Sequence, residues 1–350
     1  MNASGYVGFH LSKHVAMQFG HGRHFIGNGH RSLLLSDFAN NRFYLQINTR
    51  VWKIHYQNLF AELGVTSPKD SGIAKDVLRK KYLAAHYLSF RPAPNFSIGL
   101  YEAIIFSRTD QFELQYLNPI ILYRTVEQGL QSPDNAFIGL DLRWDLWKKI
   151  RLYGQLMFDE FFFQELIIER RGWWANKYSF QLGAKCFDCL GVEQLDIAAE
   201  VNVVRPYTYM HLDSAANYSH QFQALAHPLG ANFREYLLLI RYQPFFKWQL
   251  DAKFMRSNVG LDENGNNWGG NLIRSYQNRV RNFDNVIGQG QEAVTAQVFL
   301  DISYQLYHNL FLELNYQFRQ QELEGQTGNA QTHYLGAGLR LNFVPQTLDF

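Results

Sequence analysis

What most constrains this chain is a period-two alternation of apolar and polar side chains, held over roughly ten residues at a time and repeated along its length. Successive side chains of an extended strand point to opposite faces, so each such segment has one apolar and one polar face. The pattern is cleanest near the C-terminus. Over 293–304, Val294, Ala296, Val298, Leu300, Ile302 and Tyr304 alternate with Thr295, Gln297, Phe299, Asp301 and Ser303. Over 310–319, Leu310, Leu312, Leu314, Tyr316 and Phe318 alternate with Phe311, Glu313, Asn315, Gln317 and Arg319. The last segment sets Leu335, Ala337, Leu339, Leu341 and Phe343 against Gly336, Gly338, Arg340 and Asn342. The same alternation recurs over 138–143, 178–185, 195–203 and 248–254. About ten residues is the length of a strand tilted across a bilayer.

Composition narrows the alternatives. Charged residues make up 18% of the chain and aromatic residues 16%, with 28 Phe and 20 Tyr. Mean hydropathy is nevertheless −0.27, and no apolar run is long enough to span a membrane as a helix. An aromatic-rich chain that is not apolar on average suits a barrel, because only alternate residues meet lipid. Composition alone leaves a soluble sandwich or propeller open. A net charge of +2 gives no ground for a nucleic-acid partner.

The connections separate these possibilities. Short links are expected near Ser12–Lys13, Arg50–Val51, Pro92–Asn95, Asp145–Lys149, Phe187–Gly191, Pro244–Lys247 and Leu306–His308. Between them lie long polar or Gly-rich stretches at 20–42, 64–80, 108–135, 160–176, 206–233, 258–291 and 322–332. Tight turns alternating with long loops are the outer-membrane pattern, with turns in the periplasm and loops outside. The expected fold is therefore all-β: a single antiparallel transmembrane barrel over 1–350, monomeric, in the outer membrane of a Gram-negative bacterium. The segments number about fifteen, whereas bacterial barrels of this type close with even strand counts. The opening MNASGYVGFHLSKHV carries no secretory signal. Both observations lead to the expectation that an N-terminal portion, with the signal and the first strands, is missing.

Several segments resemble the capsule assembly protein Wzi family, including relatives from gliding bacteria associated with surface motility. The resemblance rests on Gly22-Arg23-His24-Phe25-Ile26-Gly27-Asn28-Gly29-His30-Arg31-Ser32-Leu33-Leu34-Leu35-Ser36 and on Leu100-Tyr101-Glu102-Ala103. It continues at Tyr116-Leu117-Asn118-Pro119-Ile120-Ile121 and at Ser132-Pro133-Asp134-Asn135 running into Gly139-Leu140-Asp141. These are loop and strand-edge motifs across 20–145, with the barrel pattern alone beyond. The resemblance implies a barrel of about eighteen strands, acting as a surface lectin that holds capsular polysaccharide. The sequence departs from the family in having no N-terminal helical portion.

Each candidate site has a plain structural alternative. In the Gly22–His30 segment no Walker lysine follows, which excludes a phosphate loop. His21, His24 and His30 lack the spacing and carboxylate of a metal site, so no metal or cofactor is expected. The preferred reading is that Gly22, Gly27 and Gly29 let a loop fold tightly at the barrel mouth, with Ser32 inside it. Arg23 is then free to pair a carboxylate in the lumen. Lumen carboxylates Asp141, Asp196, Glu200, Asp251, Asp301 and Glu313 are expected to pair with Arg143, Lys185, Lys253, Arg319 and Arg340. Asp159 and Glu160 are the best remaining pair for acid–base catalysis, but no reaction is expected of them.

For glycan binding the candidates are Arg23, His24, Trp173, Trp174, Tyr207, Tyr209, His211 and Trp268. Flat rings pack on sugar faces, while Arg and Asn bond hydroxyls or carboxylates. For Trp173 and Trp174, near strand ends, the interfacial girdle at headgroup depth is the preferred reading, and for Trp268, well inside its loop, glycan binding is. Arg79-Lys80-Lys81 reads as a solvated or lipid-headgroup contact. Cys186 and Cys189 are read as a local disulfide or two inert thiols in a turn. The leading function is non-enzymatic binding of surface polysaccharide, with outer-membrane lipid and lipopolysaccharide as surroundings. The competitors are a motility-associated outer-membrane protein, a porin-like diffusion channel and a hydrolase using Asp159 or Glu160.

Overall fold

The computed structural model describes residues 3–65, 80–107, 113–118 and 134–342. The alternating segments are strands. In chain order they are β1 (Gly5–His10), β2 (Val15–Gly22), β3 (Arg42–Val51), β4 (Ile54–Gly64) and β5 (Lys80–Ala93). There follow β6 (Phe96–Phe106), β7 (Asn135–Leu146), β8 (Ile150–Glu160), β9 (Lys177–Cys186) and β10 (Leu195–Val204). A two-strand ribbon, β11 (Ser219–His220) and β12 (Gln223–Ala224), lies in the next loop. The series ends with β13 (Phe233–Phe245), β14 (Trp248–Leu261), β15 (Gln291–Tyr307), β16 (Leu310–Leu323) and β17 (Ala330–Leu341).

Apart from the ribbon, every strand pairs antiparallel with the next, giving one 15-stranded sheet. Within the described residues β1 and β17 are its edges. They run in the same direction, so they cannot pair antiparallel with each other. Tight turns join alternate strands, and several need a left-handed residue. Trp52, Trp147, Lys148 and Asn309 all take positive φ there, the conformation that tight β-turns demand. The Cys186–Cys189 disulfide closes another of these turns. The opposite end of the sheet carries the long connections, including 23–41, 161–176, 205–232 and 262–290. The last loop is shorter than expected, because β16 and β17 extend into it and leave only 324–329 between them. Phe343, expected to end the final strand, lies outside the described residues.

The burial pattern inverts that of a soluble protein. Leu100, Ile138, Leu182, Leu238, Leu300, Leu312 and Leu335 stand exposed on the outer face. On the inner face one continuous row runs Asp141, Gln155, Gln181, Asn202, Glu235 and Ser257, each directly opposite the next across β7, β8, β9, β10, β13 and β14. All six are buried. Apolar outside and polar inside is the arrangement lipid requires of a barrel wall. At the short-turn end Trp52, Trp147, Phe245 and Phe246 are among the most exposed side chains. Amphipathic rings at that depth form an interfacial girdle.

Candidate functional site

The inner polar row exists to hold a loop. Between β2 and β3 the chain turns into the lumen and lies across it. Residues 26–35 fold into a compact turn in which Ile26 N–H donates to Leu35 O (2.9 Å). Ser32 Oγ donates to Ile26 O (2.5 Å) and accepts from Leu34 and Leu35 N–H (3.2 Å each). The wall then grips this turn. Glu200 accepts from His30 N–H (2.6 Å), Arg31 N–H (3.1 Å) and the Tyr153 hydroxyl (2.8 Å). Arg31 forms an ion pair with Glu235 (3.2 Å), which also meets His227 Nε2 at 2.7 Å. Gln155 accepts from Leu33 N–H (2.8 Å) and donates to Ile26 O (2.9 Å). Leu33, Leu34 and Leu35 have no exposed surface.

Two glycines of this region have a steric reason. A Cβ on Gly29 would stand 2.5 Å from Glu200 Oε2, and one on Gly139 of β7 would stand 2.5 Å from Leu34 Cδ2. Either side chain would push the turn off the wall. Asp141 completes the grip, accepting from Asn28 Nδ2 (3.3 Å), the Tyr87 hydroxyl (2.9 Å) and Gln155 Nε2 (3.1 Å).

Above this turn lies the 205–232 loop. Tyr209 and Tyr218 donate their hydroxyls to Leu33 O (2.8 Å) and Leu34 O (2.7 Å). Their rings pack with Phe137 at centroid distances of 6.2 and 4.7 Å. Burial pushes both phenols above their ordinary pKa. It pushes His24 down to about 4, with help from the nearby Arg42 guanidinium. His220 also falls to about 4, first through burial. His227 is lowered too, because burial outweighs its carboxylate partner. The plug is thus built with neutral imidazoles. Below it, at the short-turn end, a cavity of about 680 Å3 is lined by charges of both signs, among them Lys185, Asp196, Lys253, Asp301 and Arg340.

A third layer faces outward. The 161–176 and 262–290 loops are joined edge to edge: Trp174 N–H donates to Asn282 O (2.9 Å), Asp284 N–H to Arg171 O (2.8 Å) and Asn285 N–H to Gly172 O (2.9 Å). Along this join, guanidinium groups lie over aromatic rings. Arg279 sits 4.1 Å from the Trp174 ring centre, Arg171 4.6 Å from Phe283 and Arg281 5.5 Å from Trp268. Neither Arg279 nor Arg281 is in an ion pair among the described residues.

The residues singled out by sequence are distributed differently from expectation. Tyr207 and Tyr209 are fully buried and His211 nearly so, because they pack the plug rather than line its outer surface. Arg23 does not reach a lumen carboxylate. It donates to Asn41 Oδ1 (3.0 Å) and Asp37 O (3.3 Å) within its own loop, and Arg31 reaches inward instead. His24 is held by Gln46 (3.2 Å) and stands edge-on to Tyr44. Trp173 and Trp174 are half-buried under the outer loops, and the exposed rings at the short turns form the girdle. Trp268 is half-buried, with its backbone N–H on Asp262 (2.8 Å).

Gly22 closes β2 and Gly27 lies in the turn against Gln155. Asp134 accepts from the Tyr116 hydroxyl (2.7 Å), Asn135 donates to Ala216 O (2.9 Å), and Asn118 follows a one-turn helix. Pro119 and Arg79 lie outside the described residues.

Lys81 is a correction: it has no exposed surface, and its ammonium donates to Asn217 O (2.7 Å) and Ser219 Oγ (3.3 Å). It faces the plug, not a headgroup. Lumen ion pairing also differs in detail. Arg340 does pair Glu313 (2.5 Å), but Arg143 pairs Asp145, Arg241 pairs Asp251, and Lys185 donates to Asn28 O (2.6 Å). Asp159 and Glu160 each lie 3.1 Å from the Lys177 ammonium, which ties both as counter-ions. Sequence reasoning missed Arg31, Gln155 and Glu235. The inward Glu235 was legible as the polar phase of Phe233–Phe245. Its partner was not, because 204 residues separate them.

No protein-family model matches the chain, and no curated protein matches it by sequence. Among solved structures it is similar to Wzi of Escherichia coli, an outer-membrane protein involved in group 1 capsule assembly and a carbohydrate-binding β-barrel. That likeness has 13% identity and a TM-score of 0.65, and covers 98% of this chain and 70% of that one. OprD of Pseudomonas aeruginosa is 12% identical, over 96% of this chain and 77% of that one, with a TM-score of 0.49. At such identities likeness establishes fold alone. The chain has the outer-membrane β-barrel fold, in the form seen in the Wzi capsule-assembly barrel.

Proposed function

We propose that this protein is a non-enzymatic outer-membrane barrel that binds an acidic surface polysaccharide on the joined outer loops, in capsule attachment. The observation that carries the reading is the pair of arginines over aromatic rings at Arg279 and Arg281, whereas Arg171, over Phe283, is already paired with Glu165 and Glu169. A guanidinium over a ring and outside any ion pair keeps its charge for a uronate carboxylate, and the neighbouring ring faces suit sugar C–H surfaces. The plug beneath supports the same reading, since a ledge resting on a packed lumen is fixed before the polymer arrives. The carbohydrate binding reported for the E. coli barrel agrees with it. Lipid and lipopolysaccharide are the surroundings of the apolar outer wall.

The test is surface-polysaccharide retention on cells carrying Arg279→Ala with Arg281→Ala. Retention should fall toward that of cells lacking the protein, while the barrel stays in the membrane at parent levels. Full retention in that double variant would sink the proposal. A diffusion channel is the competing reading, and the packed 23–41 turn disfavours it. In planar bilayers the parent protein should give no steady current.

A further inference from the structure

Strands β7 and β8 are paired from Leu146↔Ile150 as far as Ile138↔Phe158. Beyond that point each keeps its other neighbour. Asn135, Ala136 and Phe137 remain in register with Ile105, Ile104 and Ala103 of β6. Glu160 pairs with Lys177 of β9 after a register shift at Phe158/Glu160. The extra residue, Asp159, acts as a bulge: it bends β8 towards β9 and away from β7. The barrel wall therefore parts at its long-loop end, and a cavity of about 410 Å3 lies in the parting.

The two sides of this seam differ in chemistry. Its outer lip is Ile138, Phe158, Phe161 and Phe162. Ile138 and Phe162 are more than half exposed, and the Phe158 and Phe161 rings are 5.0 Å apart. The lip continues the lipid-facing surface of Leu140 and Leu156 without a break, because these residues share its phase on β7 and β8. The inner wall carries Asp159, Glu160 and His211. Among the described residues these strand edges have no wall partner across the seam, an arrangement tolerated where they line a cavity with polar content. A molecule with an acyl chain and a hydroxyl-rich head fits both halves, the chain along the rings and the head among the carboxylates. Asp159 and Glu160, which share the Lys177 ammonium, together with Glu102 and Asp134 on the same lining, accept hydrogen bonds from hydroxyls and repel phosphate.

We propose that the β7–β8 seam is a lateral binding site for a glycolipid of the outer leaflet, with an uncharged sugar head in the cavity and its acyl chain on the outer lip. The site is separate from the arginine ledge and does not depend on polymer binding there.

The experiment uses the full chain in phosphatidylcholine nanodiscs. The probe is n-dodecyl maltoside, with monododecyl phosphate, the same tail on an anionic head, as the control. Maltoside should bind saturably, and the phosphate should compete poorly. Ala136→Trp, which fills the cavity, should weaken maltoside binding about tenfold or more while leaving purified acidic polysaccharide on the outer loops unaffected. Glu160→Gln, at a partly exposed side chain, is a second variant that does not depend on Trp being accommodated. It should weaken maltoside and relieve the discrimination against the phosphate. Equal binding of the two amphiphiles to the parent, or parent-like maltoside binding in both variants, overturns the proposal.

Discussion

Replacing Glu200 with Ala tests whether the lumen plug is held by the polar row of the wall. The side chain accepts from two backbone N–H groups of the plug, His30 (2.6 Å) and Arg31 (3.1 Å), and from wall donors Tyr153, Gln181 and Asn202. A hydrogen bond to a charged acceptor contributes about 1.5–3 kcal/mol. The two plug bonds are not independent, and water can enter the lumen, so their joint loss should cost about 3 kcal/mol. Three buried leucines at about 1.5–3 kcal/mol each remain, together with Arg31–Glu235 and the Gln155 bonds. The plug therefore stays docked most of the time, but its undocked population rises about a hundredfold.

Trypsin reads this directly, because the bond after Arg31 lies inside the lumen. Cleavage of a transiently opened segment follows the open population when reclosing is fast. The variant should be cut there about a hundredfold faster than the parent, with cleavage after the exposed Arg170 unchanged. Glu200→Gln, which keeps one acceptor oxygen, should fall between the two. If cleavage after Arg31 in Glu200→Ala matches the parent rate while the barrel is intact, the wall does not hold the plug in the way described.

Other outcomes follow from the same geometry. Gly139→Leu places a side chain where Leu34 packs, and should expose Arg31 to trypsin at least as much as Glu200→Ala does. His24 and His220 have folded pKa values near 4 against about 6.5 in an undocked loop. The undocked form therefore takes up protons first, so plug stability is constant above pH 6.5 and falls as pH drops towards 4. The loss reaches about 3 kcal/mol for each of the two histidines. Hydrogen exchange of 24–36 at pH 7 and pH 5 should show it, and His24→Gln should flatten the difference. Lys177→Met leaves Asp159 buried without its counter-ion and should destabilise the 161–176 loop by about 3–5 kcal/mol, seen as new proteolytic cuts there. Reducing Cys186–Cys189, which spans 3 positions, removes so short a loop that stability should change by about 2 kcal/mol or less, with polysaccharide retention intact.

The alternation in 293–304, 310–319 and 335–343 was enough to specify strands, their lipid-facing sides and an outer-membrane barrel. Side-chain phase in a strand is a local property, and lipid on one face leaves it no second solution. Turn positions were legible for the same reason. The Gly22–Ser36 segment could be read as a tight loop at the mouth, because its glycines are a local signal too. What it docks against could not be read: Arg31 meets Glu235, and Leu33 meets Gln155, across separations that no periodicity encodes. Nor could the fate of Tyr207, Tyr209, His211 and Lys81. An aromatic or basic residue in a long loop looks the same in sequence whether the loop stands in water or folds into the lumen. Tertiary structure alone decides that, because a barrel of this width has an interior that must be filled, and the chain fills it with its own loops.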